Sequence, residues 1–419
     1  MTHRERIQAA LNHKQPDRVP VDFGSTMVTG ISVSVISKLR KSLGLDGPDA
    51  RVKVTEPYQM LGEILPDLKE ILHMDTTGIF NIDNMFGFPN ENWKKWTMFD
   101  GTDVLVPGLF NTDPDENGNI PMYAGGDKNY PPNAIMPEGG FYFDSTNRQK
   151  PIDEDNLNVE DNLEEFSPYS DELLSNIEKQ SVTLYNETDY ALVYSMGGTS
   201  FGDIAFVPAP SLKDPKGIRD VEEWYVSTVA RRDYVYEVFD RECDIALDNL
   251  IKVKQALDNR IEVIFISGTD FGTQRGPFIS TDTYRDLFKP FHKRVCDWIH
   301  ENTQWKIFIH TCGGVRPLLE DIIDAGFDIL NPVQCSADGM EAQKLKDDFG
   351  DRITFWGGGV DTQKTLPFGT PEEVYAEVSE RIKIFNRGGG FVFDPIHNVQ
   401  AGTPVENFLA MLKAIEDSF

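Results

Sequence analysis

The chain has 419 residues, 40% of them hydrophobic and 26% charged, and carries a formal net charge of −28. That is enough apolar material for a full globular core. The acidic balance argues against nucleic acid and anionic membrane surfaces as partners, because both are held by basic patches.

Four cysteines (Cys243, Cys296, Cys312 and Cys335) do not make a disulfide framework, so the expected compartment is a reducing cytoplasm. The N-terminus reads Met1-Thr-His-Arg-Glu-Arg6, without the apolar stretch of a signal peptide, and no apolar run approaches a membrane span. No fixed-period repeat or low-complexity tract stands out.

In chain order, residues 2–14 predict a helix with Thr2 as its cap, Glu5 three residues on, and Ile7, Ala10 and Leu11 on the apolar face. Val19-Pro-Val-Asp-Phe-Gly24 reads as a buried strand. Helical spacing returns over 31–43, ended by Gly44, and over 57–72; Met74-Asp-Thr-Thr-Gly-Ile-Phe80 is a second strand. From 87 to 153 the composition turns to Gly, Pro, Asn and Asp, with β-type pieces at 96–106 and 140–143 and a hairpin signal at Asp100-Gly101. Its aromatic residues separate it from a disordered linker. It reads as an insertion of hairpins and loops, expected to enclose a substrate at the mouth of the fold.

Alternation then resumes. Helices are predicted over 170–187, 219–257, 281–301, 315–325, 340–349, 371–386 and 404–417. Strands are predicted at 190–196, 261–267, 305–310, 327–333, 353–357 and 390–394. Eight strands, each followed by at least one helix, predict a single α/β (β/α)8 TIM barrel with an N-terminal helical extension and the 87–153 insertion. An open doubly wound sheet is the alternative, but no G-x-G-x-x-G follows the first strand.

Barrel chemistry lies at the C-terminal strand ends. Those ends carry Asp22-Phe-Gly24, Asn81-Ile-Asp83, Gly197-Gly-Thr199, Asp270, His310 with Cys312, Gln334-Cys335, Gly358-Gly-Val-Asp361 and His397-Asn398. His310 and Cys312 stand two apart, so they project to one side. They make either half of a zinc site, its third ligand coming from elsewhere, or a partly buried His and a small apolar Cys beside a Gly turn. Asp22, Asp83, Asp270 and Asp361 each read as an acid, a ligand or a turn residue. His3, His13, His73, His292 and His300 fall on helices or at their ends and read as structural or solvated. Cys243 and Cys296 read as small hydrophobes.

Several stretches together carry a family resemblance: Arg4-Glu-Arg-Ile-Gln-Ala-Ala-Leu with Asp17-Arg-Val-Pro-Val21; Gly272-Thr-Gln-Arg-Gly-Pro-Phe-Ile-Ser280 with Lys289-Pro-Phe; His310-Thr-Cys-Gly; Gly369-Thr-Pro-Glu-Glu-Val374; and Thr403-Pro-Val-Glu-Asn407. Outside the insertion, the chain resembles the uroporphyrinogen decarboxylase superfamily, which implies a (β/α)8 barrel. One branch of that superfamily decarboxylates uroporphyrinogen without a cofactor and carries an Arg-containing motif after the first strand. Here that place reads Asp22-Phe-Gly-Ser-Thr-Met-Val-Thr-Gly30, with no Arg to clamp carboxylates. The other branch resembles zinc-dependent methyltransferases working with a corrinoid protein and a thiol, with His-x-Cys at the fifth strand and a Cys after the eighth as ligands. The resemblance implies His310 and Cys312 as the first two ligands and places His397 at the third position.

The function so implied is a zinc-dependent methyltransferase that moves a methyl group between a corrinoid protein and a thiol or related acceptor through a zinc-activated thiolate. Asp270, Asp361 and Asp83 are its candidate catalytic carboxylates; Gln334 and Asn398 are candidate cofactor contacts. No Asp-x-His-x-x-Gly stretch occurs, so the corrinoid would come on a partner protein. An oligomer is compatible with the sequence. The alternatives are a metal-free decarboxylase of a uroporphyrinogen-like or other carboxylated substrate, with His397 and an Asp as acid and base, and a non-catalytic protein keeping a barrel pocket.

Overall fold

The computed structural model describes residues 1–47 and 49–419. Seven parallel strands follow one another in space as in sequence: Thr76–Ile79, Ala191–Ser195, Val263–Ser267, Lys306–His310, Ile329–Asn331, Thr354–Trp356 and Phe391–Val392. Residues 19–23 close the ring. Val21 bridges Phe393 in parallel. The Asp22 and Phe393 N–H groups donate to the Phe393 and Pro20 carbonyls at 2.9 and 2.8 Å, and on the other edge Asp75 N–H donates to the Val21 carbonyl at 2.8 Å. The result is the predicted (β/α)8 barrel, in which strand alternation sends one set of side chains inward and the other toward the helices.

The inward set, including Val193, Phe265, Phe308, Ile329, Trp356 and Val392, forms its own buried cluster with Ile7, Ala10 and Leu11. Those last three belong to the N-terminal helix His3–Leu11, capped reciprocally by Thr2 and Glu5 as predicted. The helix seals the N-terminal end of the barrel. Arg4 N–H reaches the Asp189 carbonyl just before a strand starts, and Arg6 and Arg18 both pair with the buried carboxylate of Asp75, at 2.6 and 2.9 Å. With that end closed, the C-terminal strand ends are left to the site.

Most helices lie where periodicity put them; Thr370, for instance, makes a capping box for Pro371–Phe385. Residues 57–72 do not form the single helix expected. The Glu56 carboxylate accepts the Tyr58 and Gln59 N–H groups at 3.0 and 2.7 Å, turning the chain back. Leu61–Gly62 then pairs with Val52–Glu56, a strand the helical reading hid, and the helix is only Pro66–Ile71, opened by its proline.

Val52–Glu56 also pairs with Asp103–Val106, which forms the expected hairpin with Lys94–Thr97 around Gly101 at φ +80°. A second sheet joins Ile120–Met122, Ala134–Met136 and Asp144–Ser145; its last strand follows the predicted 140–143 piece. Phe86, Phe88, Phe110 and Phe143 pack ring to ring beneath these sheets. Thus the added layer has its own aromatic core and takes in residues 52–62 as well as 87–153. Among the described residues no helix is long and apolar enough to cross a membrane.

Candidate metal centre and active site

The strand Lys306–His310 delivers His310 to the barrel mouth, and the chain then turns through Thr311 and Cys312 into Gly313 at φ +88°. A Cβ at Gly313 would stand 2.3 Å from the Gly272 backbone, so only glycine lets these two loops lie against each other. They are stitched together by Phe271 N–H to Thr311 Oγ1 at 2.9 Å and Gly314 N–H to the Thr273 carbonyl at 2.8 Å. The Asp270 carboxylate accepts Cys312 N–H at 2.7 Å and thereby fixes the thiol-bearing residue.

His310 is oriented from behind. Asn331 donates its Nδ2 to the Trp356 carbonyl at 2.8 Å, so its Oδ1 faces the imidazole and accepts from His310 Nδ1 at 2.6 Å. That bond puts the ring proton on Nδ1 and leaves the Nε2 lone pair pointing at Cys312 Sγ, 3.4 Å away. His397 stands edge-on to His310, ring centroids 5.2 Å apart at 78°. Its Nδ1 accepts the Asn398 N–H at 2.7 Å. An ion taken on Nε2 would shift the ring proton to Nδ1 and give up that contact. One ligand atom from each of His310, Cys312 and His397 lies within 4.8 Å of the others.

Burial holds the His310 imidazole down to about 4, and burial with His310 as a neighbour holds His397 down to about 3. Both rings are therefore neutral, lone-pair donors at neutral pH. Burial, with Asp270 adding, pushes the Cys312 thiol well above its ordinary range. Burial also raises Asp270, partly offset by the Cys312 N–H. Two neutral imidazoles and one thiol fit a zinc ion with an open fourth position. The 3.4 Å between Sγ and Nε2 is close to the ~3.6 Å edge of a tetrahedron with Zn–N near 2.1 Å and Zn–S near 2.3 Å.

The cluster lies between two cavities. A chamber of about 600 Å³ reaches it past Asp270, His310 and His397; its walls come from Tyr58 and Gln59, residues 81–85, 162–170 and 195–211, and the helix Arg232–Leu257. A smaller cleft of about 310 Å³ reaches it from the other side past Gly272, Cys312, Gln334, Gln363 and His397. No residue of 87–153 lines the chamber. The insertion instead grips the 208–213 loop from outside: Arg148 donates to the Pro208, Ala209 and Leu212 carbonyls at 2.9, 2.7 and 2.6 Å, and Asn133 to that of Pro210.

The other predicted residues are placed apart from the cluster or behind it. Gln334 accepts the Gly313 N–H at 2.7 Å, bracing the turn after Cys312. Asn398 is spent on Gly30 N–H, the Met27 carbonyl and Gln59. Asp361 accepts the Gln363 and Lys364 N–H groups at 2.7 and 3.0 Å, a local turn, and lines neither cavity. Asp83 lies on the exposed lip of the chamber, raised by partial burial and by Glu172. The sixth strand ends at Asn331, three residues before the predicted Gln334-Cys335 tip. The residue that orients His310 was therefore inside a stretch read as strand interior. Asp203, also missed, lies in an irregular segment without periodic signal.

Residues 233–418 match the family described as Uroporphyrinogen decarboxylase (URO-D). The methylcobamide:CoM methyltransferase MtaA of Methanosarcina barkeri is 26% identical over 184 residues, 44% of this chain and 50% of that protein. The methylated-thiol–coenzyme M methyltransferase of Methanosarcina mazei is 29% identical over 140 residues, 33% of this chain and 34% of that one. A uroporphyrinogen decarboxylase of Pelodictyon phaeoclathratiforme is 25% identical over 145 residues, 33% of this chain and 38% of that one. The chain spans half the length of the first of these relatives and about a third of the other two. A solved structure described as a methyltransferase from Methanosarcina mazei shares the fold at a TM-score of 0.54 and 17% identity, covering 100% of this chain and 99% of that one. The stretch 233–418, which is similar to that family, holds Asp270, His310, Cys312 and His397.

Proposed function

We propose that the protein is a methyltransferase that moves a methyl group between a corrinoid protein and a thiol or related acceptor, with zinc held by His310, Cys312 and His397. The observation that carries this reading is the convergence of two imidazoles and a thiol, within 4.8 Å, at the edge of a chamber of about 600 Å³. The names of the two Methanosarcina relatives, one acting on methylcobamide and one on methylated thiols, support the same class. Bound there, zinc supplies a lowered pKa for a substrate thiol, which it holds as thiolate.

The chain's own residues do the rest. Asn331 keeps the His310 lone pair aimed at the cluster, and Asp270 positions Cys312 through its backbone N–H. The chamber offers the substrate a largely apolar wall beside the cluster. Gln334 and Asn398 hold the turns that carry Cys312 and His397, and Asp83 meets the substrate at the lip. The methyl-bearing corrinoid arrives on a partner protein, and the compartment is the cytoplasm. A metal-free decarboxylase of a polycarboxylate is disfavoured: Arg219 is the sole cationic side chain among the described residues lining the chamber, and it is already paired with Glu165.

The test is protein purified without chelator, assayed for zinc and for methyl transfer from methylcobalamin to a panel of thiols. The wild type should hold about one zinc per chain, and Cys312→Ser should lose most of it together with about a thousandfold of activity. Full activity in metal-free protein, or in Cys312→Ser, would overturn the reading.

A further inference from the structure

The chamber is lopsided in charge. Asp83, Glu165, Asp203, Glu242 and Asp270 line it, against Arg219 alone on the cationic side. Arg219 is fully engaged. Its terminal nitrogens donate to both Glu165 oxygens at 2.6 and 3.0 Å and to the Asp161 carbonyl at 2.7 Å, and its Nε donates to the Lys216 carbonyl at 2.6 Å. Glu165 and Arg219 cancel, leaving a surplus of carboxyl groups around an otherwise apolar space.

Asp203 is the most telling of them. It is 6% exposed. Its Oδ1 accepts Ala205 N–H at 2.9 Å, while its Oδ2 takes no hydrogen bond from any described residue. That free oxygen lies over Gly268, where a Cβ would come within 2.6 Å of it. The bare glycine after the strand Val263–Ser267 thus makes room for the carboxyl group. Glu242, 2% exposed on the helix Arg232–Leu257, faces the same space. Glu242 has the Phe201 backbone N–H as a partner, but the second Asp203 oxygen has none from the protein, so a cation that meets it offsets the cost of holding a carboxylate there. Aromatic rings of Tyr58, Phe166, Tyr169, Phe206 and Phe265 complete the lining, and ring faces attract cations.

We infer that the chamber binds a small organic cation of the onium type, with Asp203 as its counter-charge, rather than an anion. The inference rests on reading the chamber as the substrate site of the proposed methyltransferase. Burial raises both Asp203 and Glu242 well above the usual carboxylate range, so the incoming cation takes the place of a proton.

The probes are choline, its neutral isostere dimethylbutanol, and ethanesulfonate, titrated calorimetrically into the purified protein. Choline should bind at least about tenfold more tightly than either of the others and release protons on binding. Asp203→Asn keeps an acceptor for Ala205 and should erase the preference while leaving dimethylbutanol binding unchanged. If that variant does not fold, the wild-type ratio of choline to dimethylbutanol decides. Equal affinities, tighter binding of ethanesulfonate, a preference that survives Asp203→Asn, or no saturable choline binding up to about 10 mM would each overturn the inference. Zinc content, measured on the same samples, separates the two readings. Zinc without cation preference sinks this inference alone; cation preference without zinc sinks the methyltransferase.

Discussion

The strand tips and the loops that roof the chamber are built by different means. At the tips, each chemical group is fixed by the barrel itself: His310 by Asn331 on the neighbouring strand, Cys312 by Asp270 just past the end of the strand before it. The roof over 198–213 is irregular, and it is held from outside by the inserted layer, chiefly through the Arg148 guanidinium. The tips therefore determine what chemistry is available, and the roof determines what reaches it. Changes at the tips should alter metal affinity, whereas changes in the roof should alter substrate binding and leave the metal in place.

With the ligands themselves left in place, the largest expected effect breaks a tip from behind. Asn331→Ala removes the acceptor of His310 Nδ1 without touching a ligand atom. Zinc affinity, measured against a competing chelator, should fall by about 10- to 100-fold, the usual cost of losing such a partner. Unchanged affinity would mean that His310 is not oriented as described.

His292 joins the two regions, packing against Phe201 of the roof segment and against Phe271 beside Asp270. Burial holds its imidazole down to about 3. The folded value lies below the unfolded one, so between about pH 6.5 and 3 the native state binds fewer protons than the unfolded chain. Its contribution is present above that window and is lost as pH falls through it, at up to about 1.4 kcal/mol per pH unit. Denaturant titrations across that range should show a shallower acid limb for His292→Phe than for the wild type; parallel limbs would contradict the burial argument.

The smallest effect sharpens the contrast. Arg148→Ala gives up charge-assisted bonds to three carbonyls of the roof. It should raise KM about threefold to tenfold while zinc content and the barrel's circular dichroism stay as they are. A loss of zinc instead would show that tips and roof are not separable.

The same division explains what the sequence revealed. Strands with short apolar runs, helices with caps such as Thr2 and Thr370, and the Asp100-Gly101 hairpin are set by local periodicity and turn chemistry, so they are readable residue by residue. His310 and Cys312 stand two apart where one strand ends, and that spacing marks them as a candidate pair, although it leaves a structural reading open. His397 lies 85 positions beyond Cys312, and the family resemblance rather than any local pattern selected it. Asn331 was hidden because strand ends are hard to place to within a few residues. Asp203 carried no signal, because its role comes from a bare Gly268 on another segment that only the folded chain brings beneath it. The 57–72 stretch misled for a related reason: its apolar spacing suits a helix, but Glu56 and Pro66 impose a turn and a late start.

Zinc at His310, Cys312 and His397 is tested most directly by X-ray absorption at the zinc edge of protein purified without chelator. The spectrum should show about one zinc per chain with two nitrogen neighbours at about 2.0–2.1 Å and one sulfur at about 2.3 Å, and a second sulfur once a thiol substrate is added. Absence of zinc, or a zinc shell of oxygen and nitrogen alone that Cys312→Ser leaves unchanged, would contradict that site.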